Sequence, residues 1–245
     1  DFVYFNDEPT TGSSFYTQFE VMKLAKTNQV KVLLDGQGAD ELFAGYQYFH
    51  GFHMYGLVRD LHIYAFFKEL MCSIKRKQDF SAFQTLLFQI LPRYLKIKSL
   101  YTTVKFLNKE YFNNFINESK VLNSFFDAPN LNTSLVRHFQ YKLEHLLRME
   151  DRNSMAFSIE ARVPYLDYRL VELVLSMPSY LKINNGETKY IQKSSIGHYS
   201  TKEILNRKDK IGFGTPKSEW MTTPDWQEKT KESATYCRDV FPDIF

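Results

Sequence analysis

A glycine- and acid-rich segment, VLLDGQGADELFAG at 32–45, holds the first residues that could do chemistry. Asp35 ends an apolar run, Gly36 and Gly38 follow, and Asp40 begins a helical pattern. Glycines let a backbone approach a ligand closely, and free N–H groups at a helix start attract anions. The acids would repel a bare phosphate, but Mg²⁺ binds carboxylates and phosphate oxygens together. The segment therefore favours metal-bridged nucleotide phosphates.

The same segment also has a structural interpretation, in which Asp40 is a helix N-cap and the glycines form a turn. No Gly-Lys-Ser/Thr follows, so the segment is not a Walker A loop. Glu41 stands where a dinucleotide fingerprint has its third glycine. The functional and structural interpretations both stay open from this segment alone.

A second cluster of charges lies between 150 and 167. Its members alternate with side chains expected to be buried, such as Met155 and Ile159. Buried charges are either paired or used, so the cluster indicates catalysis or a structural ion-pair network. The charged residues are Glu150, Asp151, Arg152, Glu160, Arg162 and Asp167.

A third cluster is basic and lies late in the chain. Lys189 begins a predicted helix, and Arg207 and Lys210 precede Gly212 and Gly214. The helix dipole disfavours a cation at a helix start, so a bound phosphate would explain Lys189. The ordinary alternative is a solvent-exposed lysine.

The elements around these clusters predict an α/β domain. Residues 30–35, VKVLLD, are predicted to be a parallel strand buried on both faces, preceded by a helix with Ser13 or Ser14 as its N-cap. Residues 2–5, FVYF, are predicted to be a short buried strand. Because ligands bind beyond the carboxyl ends of strands in open α/β sheets, the glycine- and acid-rich segment would lie at the site.

The rest of the chain is predicted to be largely helical. Residues 47–125 show long helical patterns and no further strong strand. A buried helix is predicted at 170–177 with Asp167 as its N-cap, and a turn at 185–186. We expect residues 1–245 to form a single domain.

Composition excludes some classes of protein. Lys plus Arg is 31 and Asp plus Glu is 28, and this net charge of +3 is too small to indicate nucleic-acid binding. No stretch of about 18 apolar residues predicts a membrane span, and the N-terminus is not of secretory type. We therefore expect a cytoplasmic protein.

Four motifs in order resemble the synthetase domain of glutamine-hydrolysing asparagine synthetases. They are VLLDGQGADELFAGY, DRNSMAFSIEARVPYLDYRLVE, TKYIQK and RKDKIGFGTP. The resemblance runs from about residue 7 to about 220 and is weakest across 47–130. It implies a helix-dominated α/β fold of the adenine-nucleotide α-hydrolase (ATP pyrophosphatase) type, with a partial parallel sheet and a large helical layer.

The resemblance also implies a reaction. ATP and Mg²⁺ would adenylate the side-chain carboxylate of aspartate, releasing pyrophosphate. Ammonia, delivered from glutamine by a separate glutaminase domain, would then displace AMP to give asparagine. A homodimer is one candidate assembly, and the sequence leaves the oligomeric state open.

Site residues follow from the same resemblance. Asp40 resembles the Mg²⁺-binding acid, and Lys189 the lysine that neutralises charge on the leaving pyrophosphate. Arg207 and Lys210 resemble further phosphate contacts. Asp151 resembles an acid near the acyl-acceptor site, with Glu150 as the adjacent candidate. Gly36 and Gly38 would belong to the ATP-binding loop.

The chain departs from the family pattern in two respects. The SGGxDS loop that grasps ATP is absent and is expected upstream of Asp1, as is a glutaminase domain with its N-terminal cysteine. We therefore predict a C-terminal fragment that is inactive alone. Gln37 stands where many relatives have Glu and β-lactam-forming relatives have Tyr. A neutral Gln cannot act as a base, so Gln37 is expected to orient a substrate or ammonia by hydrogen bonds.

Gln37 leaves the acceptor open, and a sugar acid amidated during surface polysaccharide synthesis fits the motifs as well. A second alternative is a non-catalytic module that docks through the helices of 47–125. A helical nucleic-acid-binding protein is the least supported alternative, because the chain lacks a continuous basic stripe.

Overall fold

The structure is a computed structural model that describes residues 1–8, 13–76, 81–91, 95–96, 108–116, 118, 127–205 and 215–240. Over these ranges the chain is mostly helical and contains one small parallel sheet. The predicted helix-dominated α/β class is therefore confirmed. Its assignment to the adenine-nucleotide α-hydrolase type stays a prediction.

The sheet brings the first two clusters together. Strand β1, Val32–Leu34, pairs in parallel with β2, Glu160–Arg162. The Asp35 N–H donates to the Arg162 carbonyl at 2.8 Å, which extends the pairing past the carboxyl end of β1. The charged segment at 150–167 therefore supplies the neighbouring strand, which the sequence did not predict.

The prediction that β1 is buried on both faces is wrong. Val32 is 41% exposed and Leu34 is 74% exposed. A parallel strand becomes fully buried when strands flank it and helices cover both faces. Over the described ranges, β2 is the strand that pairs with β1, and it flanks one edge only.

The predicted strand at 2–5 is also wrong, because these residues form helix α1, Phe2–Asn6. Four apolar residues cannot distinguish a strand from a single helical turn. Tertiary contacts favour the turn: the Phe2 ring packs edge-on against Phe19 at 5.5 Å, and the Asn6 amide donates to the Asn153 side chain at 3.0 Å. Phe19 lies in α2, Ser13–Thr27, the helix that the sequence predicted.

A run of helices follows the loop after β1, which confirms the helical prediction for the described part of 47–125. Glycine allows two of them to pack closely, because a Cβ on Gly51 would lie 2.5 Å from the Thr85 Cβ. The helices are α3 Ala39–Leu42, α4 Phe49–Arg59, α5 Ile63–Lys75, α6 Ser81–Ile90 and α7 Lys109–Phe115.

The second half of the chain is also helical. A π-helical turn, Phe139–Leu143, joins α8, Leu131–His138, to α9, Glu144–Met155. The later helices are α10 Tyr168–Ser176, α11 Ser179–Lys182, α12 Tyr190–Ile196, α13 Lys202–Leu205, α14 Lys217–Met221 and α15 Pro224–Val240. Short 3₁₀ turns span Pro164–Leu166 and Gly197–Tyr199.

Two local predictions for this half are confirmed and one is wrong. The Asp167 carboxylate caps α10 by accepting from the Arg169 N–H at 3.0 Å. The turn at Asn185 and Gly186 has left-handed backbone at both residues. Helix α10 is not a buried helix, because Val174 is its buried residue and the helix lies across the surface.

The core lies against the elements that carry the glycine- and acid-rich segment. One buried cluster joins α4, α8 and α11, and a second joins α3 to α10. Burial of these side chains fixes α3 relative to α10. The second cluster contains Leu42, Phe43 and Val174.

No helix in the described ranges has the length and apolar character needed to cross a membrane.

Candidate active site

Two predicted site residues from distant parts of the chain form an ion pair. Asp40 lies in α3, and Lys189 occupies the N-cap position of α12. The Lys189 Nζ lies 2.7 Å from the Asp40 Oδ1, and both side chains remain partly accessible. A carboxylate and an ammonium group therefore meet at one point on the surface. This contact excludes the alternative of an isolated, solvent-exposed lysine.

The backbone at Lys189 is held in an unusual conformation. Its φ of 55° is left-handed, a region that costs a non-glycine residue free energy unless its surroundings enforce it. The Lys189 N–H donates to the Phe43 carbonyl at 3.2 Å. Ala44, the next residue, is also left-handed, with a φ of 57°. Left-handed backbone thus occurs on both segments that present the pair.

Gly45 makes room for the pair. A Cβ at this position would lie 1.9 Å from the Asp40 Oδ1 and 2.3 Å from the Lys189 Cε. No larger residue fits unless the two side chains separate. Gly45 was not among the predicted site residues, although it lies in the glycine- and acid-rich segment.

The two loop glycines have different roles. No atom lies within 4 Å of the position that a Cβ on Gly36 would take, so the backbone there is open to a ligand. Gly38 has a φ of 87° and is the N-cap of α3, and its Cβ would lie 2.3 Å from Leu166. Because Gly38 occupies the cap, the N-cap alternative for Asp40 is wrong. Helix α3 has four residues, so we place no anion site at its N-terminus.

Most members of the second cluster form ion pairs on the surface. Arg152 pairs with Asp7, Arg162 with Glu160, and Arg169 with Asp167, all with exposed side chains. Such pairs contribute little stability, and they fit the structural alternative for those residues. Asp151 is exposed on α9, and its role near an acyl acceptor stays a prediction.

Glu150 is the acid of this cluster that points inward. It is 2% exposed, and it faces Asp35 at the carboxyl end of β1. Burial and the facing Asp35 carboxyl raise the pKa of Glu150 to about 8. Neither Glu150 oxygen has a hydrogen-bond partner among the described residues. Glu150 is thus the buried acid, whereas the resemblance favoured its neighbour Asp151.

A network of polar contacts joins Glu41 of α3 to Tyr46 and Lys142. The Tyr46 hydroxyl donates to the Glu41 Oε1 at 2.7 Å, and the Lys142 Nζ lies 3.9 Å from that oxygen and 3.4 Å from the centre of the Tyr46 ring. Burial and the Glu41 charge raise the pKa of Tyr46 above its usual range, so Tyr46 stays protonated and donates. None of these three residues was among the predicted site residues.

A cavity of about 450 Å³ lies beside this network. Tyr48 and Lys142 connect the two, because the Lys142 Nζ donates to the Tyr48 hydroxyl at 3.1 Å. Phe52, Thr85 and Phe88 give the cavity a mainly apolar wall. Asp40 and Lys189 do not line it, so the cavity is distinct from the ion pair.

For three predicted site residues, the described part of the chain gives no contact that supports the predicted role. Arg207 and Lys210 lie outside the described residues. Gln37 is half-buried and makes no hydrogen bond to a described residue. All three roles stay predictions.

The residues present fit a magnesium-bound phosphate chain. Across the described ranges, no three His, Cys, Asp or Glu side chains form a metal-binding group. Mg²⁺ does not need such a cage, since it is commonly bound by one or two carboxylates together with substrate phosphates and water. Asp40 offers the carboxylate, Lys189 offers a cation for phosphate oxygens, and Gly36 leaves the loop open.

Comparison with known protein families gives a match over nearly the whole chain. The asparagine synthase family model matches residues 1–237. The chain belongs to the asparagine synthase family. The resemblance drawn from the four motifs is therefore confirmed, and the family supports an ATP-dependent ligase.

Individual relatives carry the same description. The chain is 29% identical over 235 residues to the glutamine-hydrolysing asparagine synthetase 1 of Bacillus subtilis, covering 89% of this chain and 36% of that one. It is 26% identical over 245 residues to a putative asparagine synthetase of Mycobacterium tuberculosis, covering 90% and 35%. A shorter match, 36% over 78 residues, is to the enzyme of Gallus gallus, covering 29% and 14%.

The chain spans about a third of the length of the first two relatives. No solved structure matches it.

Proposed function

We propose that this chain provides the metal- and pyrophosphate-binding part of an ATP-dependent amide ligase. The reaction is adenylation of a carboxylate, with the aspartate side chain as first candidate, followed by transfer of ammonia from glutamine to give asparagine, AMP and pyrophosphate. The observation that carries the proposal is the contact between Asp40 and Lys189. Family membership supports the ligase class.

The two paired side chains have complementary roles in this proposal. Asp40 would hold Mg²⁺, which neutralises charge on the triphosphate when it is bound. Lys189 would contact the leaving pyrophosphate and the reacting phosphorus, where negative charge increases in the transition state. A cation that is already fixed in place stabilises such charge without reorganisation, and the enforced backbone at Lys189 fixes it.

The remaining predicted residues complete the proposed site. Gly36 and Gly38 shape the ATP-side loop, and Arg207 and Lys210 add phosphate contacts. Asp151 lies toward the acyl acceptor. Gln37, being neutral, would orient the acceptor or ammonia by hydrogen bonds.

We further propose that the ligase acts with segments beyond these 245 residues, namely an ATP-binding SGGxDS loop and a glutaminase domain. The support is that the relatives named as glutamine-hydrolysing are about three times as long as this chain. The 245-residue chain alone would then form little or no amide.

The assay compares the full-length product of the gene with the 245-residue chain. Each receives ATP, Mg²⁺, aspartate and nitrogen-15-labelled glutamine or ammonium, and mass spectrometry measures AMP and labelled amide. The full-length product is expected to form both in equal amounts, and the 245-residue chain neither. Amide formation by the 245-residue chain would refute its inactivity, and AMP release independent of any carboxylate would refute the ligase.

A different carboxylate is the second candidate substrate, and Gln37 favours it. Replacing aspartate by sugar acids in the same assay separates the two. AMP release that depends on a sugar acid and not on aspartate would assign the chain to polysaccharide amidation.

An interaction module is the second candidate function. Helix α5 presents an exposed apolar face, with Tyr64 84% exposed and Phe67 and Met71 more than half exposed. Such a face is typical of a docking surface. If the full-length product shows no carboxylate-dependent AMP release with any substrate, the docking function is favoured.

A further inference from the structure

Two carboxyl groups meet where β1 ends. Asp35 is the last residue before the glycine loop, and Glu150 reaches it from α9. Asp35 is half-buried, whereas Glu150 is 2% exposed. Asp35 is therefore the accessible member of the pair, and Glu150 is the buried one. Gly36, next in sequence, has open space around it.

The pair needs a proton. Ionised carboxylates can only accept hydrogen bonds, and neither Glu150 oxygen receives one from a described residue. Two charges this close repel each other, so one group holds its proton to a higher pH. A proton shared between Glu150 and Asp35 satisfies both groups.

Nearby cations do not neutralise the pair, because they are engaged elsewhere. On α9, Arg148 pairs with Glu8 and Arg152 with Asp7. On β2, Arg162 pairs with the exposed Glu160. Asp35 is thus the charged group that acts on Glu150.

The proposed ligation lacks a base among Gln37, Lys189 and Asp40, and Asp151 is exposed to solvent on α9. Ammonia that attacks an acyl adenylate must lose a proton before the neutral amide product can form. Gln37 cannot accept that proton, Lys189 is a cation, and Asp40 is committed to the metal. The required group should be a carboxyl at the same end of the sheet.

We propose that the Asp35–Glu150 pair is the proton acceptor of the amide-forming step, with Asp35 as the catalytic residue and Glu150 as the positioning residue behind it. This proposal rests on the proposed ligase function. The ammonia lone pair forms the new C–N bond, and the acyl C–O bond breaks with its electrons leaving on AMP. The surplus proton passes from nitrogen to the Asp35 carboxylate.

The environment of the pair suits this role. A general base is most effective when its pKa lies near the working pH. Burial and the facing Asp35 raise the pKa of Glu150 to about 8. Glu150 therefore titrates close to neutral pH, unlike an ordinary carboxyl group.

The test separates the two half-reactions in the full-length gene product. Exchange of labelled pyrophosphate into ATP, dependent on the carboxylate substrate, reports adenylation. Formation of labelled amide from nitrogen-15 ammonia, with free ammonia held constant between about pH 6 and about pH 9, reports the second step. The variants are Glu150→Gln and Asp35→Asn, and the control is Glu144→Gln, an exposed acid on the same helix.

The expected result is a split between the two steps. Glu150→Gln and Asp35→Asn lower amide formation by about 100-fold, the usual contribution of a general base, and remove its rise near pH 8. Both retain pyrophosphate exchange, and Glu144→Gln behaves as wild type. Equal loss of exchange and amide, or an unchanged pH profile in both variants, would overturn the proposal.

A second measurement uses the 245-residue chain and needs no activity. Infrared spectroscopy should show a protonated carboxyl band that disappears near pH 8, is missing in Glu150→Gln and persists in Glu144→Gln. Absence of that band in the wild-type chain overturns the shared proton. Absence of carboxylate-dependent exchange in the full-length wild type instead refutes the ligase function, and the catalytic role of the pair with it.

Discussion

At the scale of single residues, the site depends on positions that carry no chemistry of their own. Lys189 could be selected from the sequence because a cation at a helix start needs a reason, and Asp40 because it follows the two loop glycines. Gly45 could not, because its role is to leave space for a contact between segments that are distant in sequence. The spacing of residues along the chain does not show that Lys189 will lie next to Asp40 and Gly45 in the folded protein.

Gly45→Ala should disable the site without unfolding the chain. The new methyl group would push the Asp40 carboxylate and the Lys189 side chain apart. Misplacement by about 1 Å can cost about 100-fold in rate, so we expect pyrophosphate exchange by the full-length product to fall by about that factor.

The matched control is Gly197→Ala. A Cβ at Gly197 would meet the Leu205 Cδ1 at 3.7 Å, an ordinary contact distance. Exchange should stay near the wild-type rate in this variant. Equal activity in both alanine variants would show that the Asp40–Lys189 geometry does not matter.

Glu150 shows what a residue pattern can and cannot reveal. Glu150 lies in α9, seven residues after the buried Leu143, so it falls on the same face of the helix as Leu143. Periodicity thus favours Glu150 over Asp151 as the inward-facing acid. Its partner Asp35 could not be identified from the sequence, because β2 and the packing of α9 on the sheet were not predicted.

Glu150→Gln should also change how stability depends on pH. The folded chain raises the pKa of Glu150 from 4.5 to about 8. Between these values the unfolded chain holds fewer protons, so stability falls as pH rises, by at most about 1.4 kcal/mol per pH unit.

Urea unfolding at a series of pH values measures this effect. Between about pH 7 and about pH 8 the wild-type chain should lose stability as pH rises, and Glu150→Gln should lose less. Parallel curves for the two chains would contradict the raised pKa.

At the scale of elements, long helices were predictable and short elements were not. Helix α2 and the Asp167 cap of α10 follow from periodicity and cap chemistry. Strand β2 has three residues and an exposed–intermediate–exposed pattern, so its apolar signal is too weak to recognise. The FVYF segment was assigned to the wrong element because four residues fit either period.

Gly38→Ala should destabilise the link between β1 and α3. Its left-handed φ of 87° costs an alanine about 1–2 kcal/mol, and the Cβ would collide with Leu166. We expect urea unfolding to show a loss of at least about 1 kcal/mol. Gly36→Ala, in the same loop with open space around it, is the control and should change stability much less.

At the scale of the whole molecule, buried histidines set the acid limit of stability. Burial lowers the pKa of His50 to about 3 and of His53 and His138 to about 4, from 6.5. Below about pH 6.5 these histidines bind protons in the unfolded chain but not in the folded chain. The free energy of unfolding therefore decreases as the pH decreases, by up to about 1.4 kcal/mol per pH unit for each histidine.

Thermal unfolding between about pH 7 and about pH 5 tests this prediction. The melting temperature should fall across the range, and His53→Gln should reduce the slope if it folds. A melting temperature that stays constant across the range in the wild-type chain would contradict neutral, buried histidines.

The whole-molecule account has one central claim, that the Asp40–Lys189 pair binds magnesium-bound phosphate. The most direct measurement is calorimetric titration of the 245-residue chain with magnesium pyrophosphate. Asp40→Asn and Lys189→Gln each remove one member of the pair. Lys193→Gln is the control, because Lys193 lies one turn further along α12 and pairs with Glu187.

The account predicts that the wild-type chain and Lys193→Gln bind alike, and that Asp40→Asn and Lys189→Gln bind at least about tenfold more weakly, a loss of about 1.4 kcal/mol. Four equal affinities, or no binding by the wild-type chain, would contradict it.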